Sequence, residues 1–178
     1  MGGEAVAGAP GARLLHATCL EIGGCGVLIL GVPGSGKSDL ALRLIDQSGR
    51  GTGFEAMTAR LIADDQVVIT RRGDRLFASP PASLAGLIEV RGLGIVAVEH
   101  APEAELRLAV RLVAATRIER LPETGGTWTL LDVLVPQIAL DASAPSAPAR
   151  LRAGVCEILR LSALTSPRGR SPRGGGRR

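Results

Sequence analysis

The eight residues Gly31-Val32-Pro33-Gly34-Ser35-Gly36-Lys37-Ser38 constrain this chain more than any other part of it. They fit G-x-x-x-x-G-K-[ST] in full, a loop that works only between a buried strand and a helix. Both flanks comply. Residues 26–30 are a short, wholly apolar run, as expected of a strand buried on both faces. Residues 37–47 place Leu40, Ala41, Leu44 and Ile45 at helical spacing. The glycines let backbone N–H groups turn inward around phosphate oxygens, and the helix start adds its partial positive charge. Lys37 is expected to reach the outer phosphates of a nucleotide and the Ser38 hydroxyl to ligate Mg2+. The whole of 31–38 therefore reads as a site for Mg-ATP.

Composition supports Lys37 in an unexpected way. The chain has twenty Arg and a single Lys, and that Lys is Lys37. A general bias toward Arg accounts for the twenty but not for the exception. A compact ammonium is required there, because a planar, forked guanidinium would not fit the same cradle.

The formal net charge of +4 points less clearly. Five Arg and no acid fall in the tail, 166–178, and without those five charges the rest of the chain stands at −1. A near-neutral domain with two Phe, one Trp and no Tyr offers neither the basic face nor the stacking platforms of a nucleic-acid binder. Cys19, Cys25 and Cys156 have no C-x-x-C or metal spacing and read as small buried hydrophobes. No run is long enough to span a bilayer, and the start lacks the pattern of a signal peptide. The expectation is a cytoplasmic protein with no membrane and no nucleic-acid partner.

Residues 1–12, rich in Gly and Ala, and 165–178, rich in Pro, Gly and Arg, are expected to be disordered, leaving one domain over 13–164. Within it, strands are predicted at 14–22, 26–30 and 60–63, a hairpin over 67–70 and 75–78, and short strands at 87–90 and 95–98. Residues 48–59 read as a loop. Residues 105–113 alternate strictly and predict an antiparallel-type strand with one wet face. Residues 130–140 are apolar and fit helix or strand, and 149–161 predict a closing helix. Strands dominate after the first helix, so the class is α/β with a mixed sheet.

Three further features carry candidate chemistry. Asp64-Asp65 follow a strand stub, where P-loop proteins place an acid for Mg2+; an Asp-rich turn is the plainer reading. In Leu87-Ile88-Glu89-Val90-Arg91-Gly92-Leu93-Gly94, an acid and a base share a face before two glycines. That suits a backbone held against a ligand, or a cross-strand ion pair at a bulge. His16 lies on the first predicted strand and reads as structural or functional.

Together these segments resemble the catalytic domain of HPr kinase/phosphorylase, a bifunctional enzyme acting on a serine of the phosphocarrier protein HPr. The resemblance covers roughly residues 14–140. It rests on His16 fifteen residues before Gly31, on the loop with Asp39-Leu40-Ala41-Leu42 after it, on Leu61-Ile62-Ala63-Asp64-Asp65, and on Ile88 to Ile95. It implies a P-loop kinase domain distantly similar to phosphoenolpyruvate carboxykinase, with ATP and Mg2+ as cofactors, an HPr-like protein as partner, and a hexamer. By resemblance, His16, Lys37, Asp64, Asp65 and Arg120 fall on catalytic positions, and Ser38 and Glu89 on Mg2+ ligands. Between Pro136 and Asp141 the family often has an Arg- and Gly-containing loop tied to dephosphorylation. Here no Arg follows until Arg150, so the resemblance speaks for the kinase direction more than for phosphorolysis. The rival readings are a P-loop kinase for a small metabolite and an ATP-sensing regulator without transfer chemistry.

Overall fold

The computed structural model describes residues 11–120 and 126–165. The disorder expected of 1–10 and of 166–178, and the residues Leu121 and Pro122 beside Arg120, lie outside the described residues.

The order of elements follows from where apolar residues can be buried. β1 (Ala12–His16) and β2 (Thr18–Ile22) replace the single strand predicted over 14–22, and the chain passes between sheets at Ala17. β1 begins at Ala12, inside the segment expected to be disordered. β3 (Cys25–Leu30) leads into the loop and α1 (Lys37–Asp46). β4 (Ala59–Ala63), β5 (Gln66–Arg72), β6 (Arg75–Ser79), β7 (Leu87–Val90) and β8 (Gly94–Ala97) match the predicted strands to within three residues. β9 (Ala104–Leu112) is followed by β10 (Gly126–Leu130), β11 (Val133–Leu140) and the closing α2 (Ala147–Thr165).

Nine strands form one mixed sheet, β1-β5-β6-β9-β3-β2-β4, with the β10–β11 hairpin attached through β11 to β9; β7 and β8 pair separately. The ambiguous stretch 130–140 resolves as strand. Leu131 and Asp132, both at positive φ (49° and 60°), make the tight turn of a two-residue hairpin.

β9 is the organising strand and corrects an expectation. It runs parallel to β3 and to β11 and antiparallel to β6 along its start, so the antiparallel expectation holds only at that end. Nor is one of its faces wet. Leu108, Val110 and Leu112 pack toward the helices, while Leu106 and Ala109 pack toward β5 and β6. Its charged positions read as a solvent face because their long side chains reach outward from a covered backbone. Glu105 meets Arg75 at 3.2 Å, and Arg107 donates to Ser162 on α2.

Two cores result. Leu40, Ala41 and Leu44 of α1 and Leu151 and Val155 of α2 cover one face, against Val27 and Ile29 of β3. Leu28 points to the opposite face, where Val67, Ile69 and Leu76 cover it. β3 is therefore buried on both sides, as its apolar run requires.

A buried cation fastens the helical layer. Arg152 on α2 is 2% exposed. It donates to the Leu44 carbonyl (2.9 Å), to the Met57 carbonyl (3.2 Å) and to that of Gln47. Leu44 and Gln47 end α1, where orphan carbonyls and the negative helix end favour a cation. Met57 belongs to the loop predicted over 48–59, which thereby lies across α2; its ends meet in a bridge between Gly49 and Met57. Arg152→Met should therefore lower unfolding free energy by about 2–4 kcal/mol, since one buried and two part-buried carbonyls lose their donor. Urea titration measures this; a loss below about 0.5 kcal/mol would refute the capping role.

Candidate active site

The loop after β3 is shaped by close approach. A side chain at Gly31 would run into Ser35 Oγ, and Gly36 (φ 90°) takes a left-handed conformation to start α1. Ser35 Oγ is itself buried without a hydrogen-bond partner among the described residues. Lys37 is 7% exposed and donates to the carbonyls of Gly31 (3.1 Å) and Val32 (3.3 Å), curled back over its own loop.

Strand register brings the acids to this loop. β2 pairs with β4 through Cys19↔Ala63 and then Leu20↔Leu61, so Ile62 is the extra residue of a bulge. Asp64, which follows Ala63, lies beside Thr18. Its Oδ1 accepts from Thr18 Oγ1 (2.7 Å) and Ser38 Oγ (3.0 Å), and its Oδ2 from the Glu89 N–H (3.3 Å). Asp65, at φ 65°, turns the chain out of β4 and into β5. β1 pairs with β5 in the register His16↔Gln66, which sets His16 Nδ1 2.9 Å from Asp65 Oδ1. His16 thus ends β1 rather than lying early on a longer strand.

These residues share one cleft of about 520 Å³. His16, Pro33, Gly34, Gly36, Lys37, Ser38, Asp64, Asp65 and Glu89 all line it, with Arg91 beside Gly34. Glu89 lies on β7, and Arg91 begins the turn to β8, so the ion-pair alternative is not what the geometry shows: no pair between them occurs among the described residues. Gly31, Val32 and Ser35 complete the loop but do not line the cleft. Arg120 is exposed, after the 3-10 turn Ala115–Arg117, and is not on the cleft wall among the described residues.

The two aspartates differ sharply. Asp64 is 6% exposed and its oxygens are occupied. The Asp65 side chain is 67% exposed and, among the described residues, pairs with the half-exposed His16. Burial pulls the Lys37 ammonium below its ordinary value, opposed by the charges of Asp65 and Asp64. The ligand atoms available beside the loop, a hydroxyl and carboxylates, are the hard oxygens that Mg2+ prefers. Thr18 gave no signal in the sequence, because a Thr inside a strand is ordinary. Cys19 and Cys25 are buried as expected, and burial raises the Cys19 thiol to about 12; Cys156 on α2 is only half-buried, contrary to the expectation.

The family model for the HPr Serine kinase C-terminal domain matches residues 10–163. The chain is 34% identical over 139 residues to the HPr kinase/phosphorylase of Limosilactobacillus reuteri (strain DSM 20016), covering 72% of this chain and 40% of that protein. It is 38% identical over 140 residues to the HPr kinase/phosphorylase of Xylella fastidiosa (strain M12), covering 71% and 41%. The chain thus spans about two fifths of the length of the curated relatives it matches. Its fold is similar to the Hpr(Ser) kinase/phosphatase from Coxiella burnetii, with a TM-score of 0.69 and 27% identity over 84% of this chain and 99% of that one.

A depressed lysine has a sign that can be checked. Below its folded pKa the charged, desolvated Lys37 disfavours folding, and this penalty fades as pH rises toward the ordinary 10.5. Lys37→Met should therefore melt no lower than wild type at pH 8, with the difference narrowing toward pH 10.5. A variant that melts well below wild type by a margin independent of pH would contradict this.

Proposed function

The chain belongs to the HPr serine kinase C-terminal domain family, and on that premise we propose that it transfers the γ-phosphate of ATP to a serine of an HPr-like phosphocarrier protein. One observation carries the reading: a phosphate loop and a solvent-facing Asp–His pair open onto the same cleft. A small-molecule transfer would need the acceptor enclosed. Here the candidate base is exposed, which suits an acceptor presented on another protein.

In this reading the loop amides and Lys37 hold the outer phosphates, and Arg91, beside Gly34, adds charge where the transferred group carries it. Lys37 exchanges its two carbonyl partners for phosphate oxygens. Ser38 and Glu89, with Asp64 behind Ser38, would hold Mg2+, which when bound neutralises charge on the phosphates. Asp65 takes the proton of the serine hydroxyl. As it does so the serine Oγ–phosphorus bond forms, the bond to the leaving oxygen breaks, and ADP departs. His16 orients Asp65 through Nδ1 and offsets its charge. We assign the base to Asp65 rather than Asp64 because Asp64 Oδ1 already accepts two hydrogen bonds in a buried position.

The same premise carries a cytoplasmic location, a homo-oligomer such as the family's hexamer, and a catalytic role for Arg120. It also carries phosphorolysis of the phosphoserine, read by adding inorganic phosphate to the phosphorylated carrier.

Incubation with labelled ATP and purified HPr-like proteins tests the proposal. Asp65→Asn should lower kcat by about 10²–10⁴ while nucleotide affinity stays within about threefold. Lys37→Ala should lower both affinity and turnover, by at least about 10²-fold in kcat. Label appearing only in a soluble metabolite would favour the small-molecule rival, and ATP binding with no transfer would favour the sensor.

A further inference from the structure

The site as derived leaves one buried polar side chain without a role. Thr18 lies on β2 at 0% exposure, between the strand that feeds the phosphate loop and the strand that feeds the aspartates. Its hydroxyl is 2.7 Å from Asp64 Oδ1, the same oxygen that accepts from Ser38 Oγ at 3.0 Å. A carboxylate oxygen has two lone pairs, so these two hydroxyls fill it.

We propose that Thr18 is a positioning residue for the metal–phosphate half of the site: by donating to Asp64 Oδ1 it fixes the carboxylate that in turn aims the Ser38 hydroxyl. The inference rests on the kinase reading above and concerns how that site is held.

The geometry supports this over a merely satisfied core threonine. Among the described residues the Asp64 carboxylate has three donors, one on each of three elements: Thr18 on β2, Ser38 on α1 and the Glu89 N–H on β7. Ser38 must leave or share Oδ1 if its oxygen turns to a cation, and the Glu89 contact is long. Thr18 is the donor that is buried, short and bound to a strand that cannot move independently of β3. It is the fixed point about which the other two adjust. Without it Asp64 would be free to rotate, and Ser38 would follow.

The test compares Thr18→Val, which keeps the shape and removes the hydroxyl, with Thr18→Ser, which keeps the hydroxyl. ATP affinity is measured by calorimetry with and without Mg2+, beside melting temperature and transfer kinetics. Thr18→Val should bind metal-free ATP within about twofold of wild type, because Lys37 and the loop amides are untouched. It should lose about tenfold or more of the gain in affinity that Mg2+ brings, and kcat should fall more than KM rises. Thr18→Ser should restore both. If Thr18→Val lowers the melting temperature yet keeps the Mg2+ gain and kcat, Thr18 is structural only and the inference is overturned. If both variants lose metal-free and Mg2+-dependent binding alike, positioning of the metal side is likewise overturned. A wild-type chain that binds no Mg-ATP would overturn the kinase reading itself, an outcome distinct from equal binding by wild type and Thr18→Val.

Discussion

A carboxylate taken out of water must be given hydrogen bonds in place of those it loses, and most of the site depends on how Asp64 meets that demand. Its donors come from β2, α1 and β7. Those elements are far apart in sequence, so the acid is satisfied only when the sheet, the helix and the β7–β8 hairpin are all in register. The phosphate loop and the candidate base are thereby tied to the completed fold. A partly folded chain could form the loop and α1, but not the surroundings that give Asp64 its partners.

The phosphate loop was legible because its constraints are local. Glycines that permit close approach, a buried strand and an amphipathic helix all leave their mark within twenty residues. The hairpins over β5–β6 and β7–β8 were legible for the same reason. β9 was misread because burial is a tertiary property: Glu105, Arg107 and Arg111 look like a wet face until one knows what covers the backbone between them. The break of the first strand at Ala17 left no signal, since the residues on both sides favour strand and only the change of sheet separates them. Thr18 and Arg152 were invisible for a further reason. Each is an ordinary residue whose importance is set by partners about fifty and a hundred positions away.

The family resemblance and the geometry carry different parts of the argument. The resemblance put His16, Asp64 and Asp65 on catalytic positions and Ser38 and Glu89 on Mg2+ ligands, without saying how the two aspartates differ. The structure separates them. Asp64 is enclosed and accepts three hydrogen bonds, Asp65 is exposed and paired with His16, and Glu89 approaches Asp64 through its backbone N–H. Arg120 stands apart from this group and does not line the cleft among the described residues.

The passage from Asp64 to Asp65 is also where the chain leaves one sub-sheet for the other. Asp64 follows β4 and is held by the layer that includes β2 and β3; Asp65 precedes β5 and is held by His16 of β1. Neighbours along the backbone therefore answer to two different mechanical bodies. A shear of one sub-sheet across the other, even by a fraction of an ångström, would leave each aspartate with its own partners while changing the span between them. The left-handed residue at the joint sets one carboxylate on each sub-sheet, so the span between the two acids is fixed by how the sub-sheets are joined.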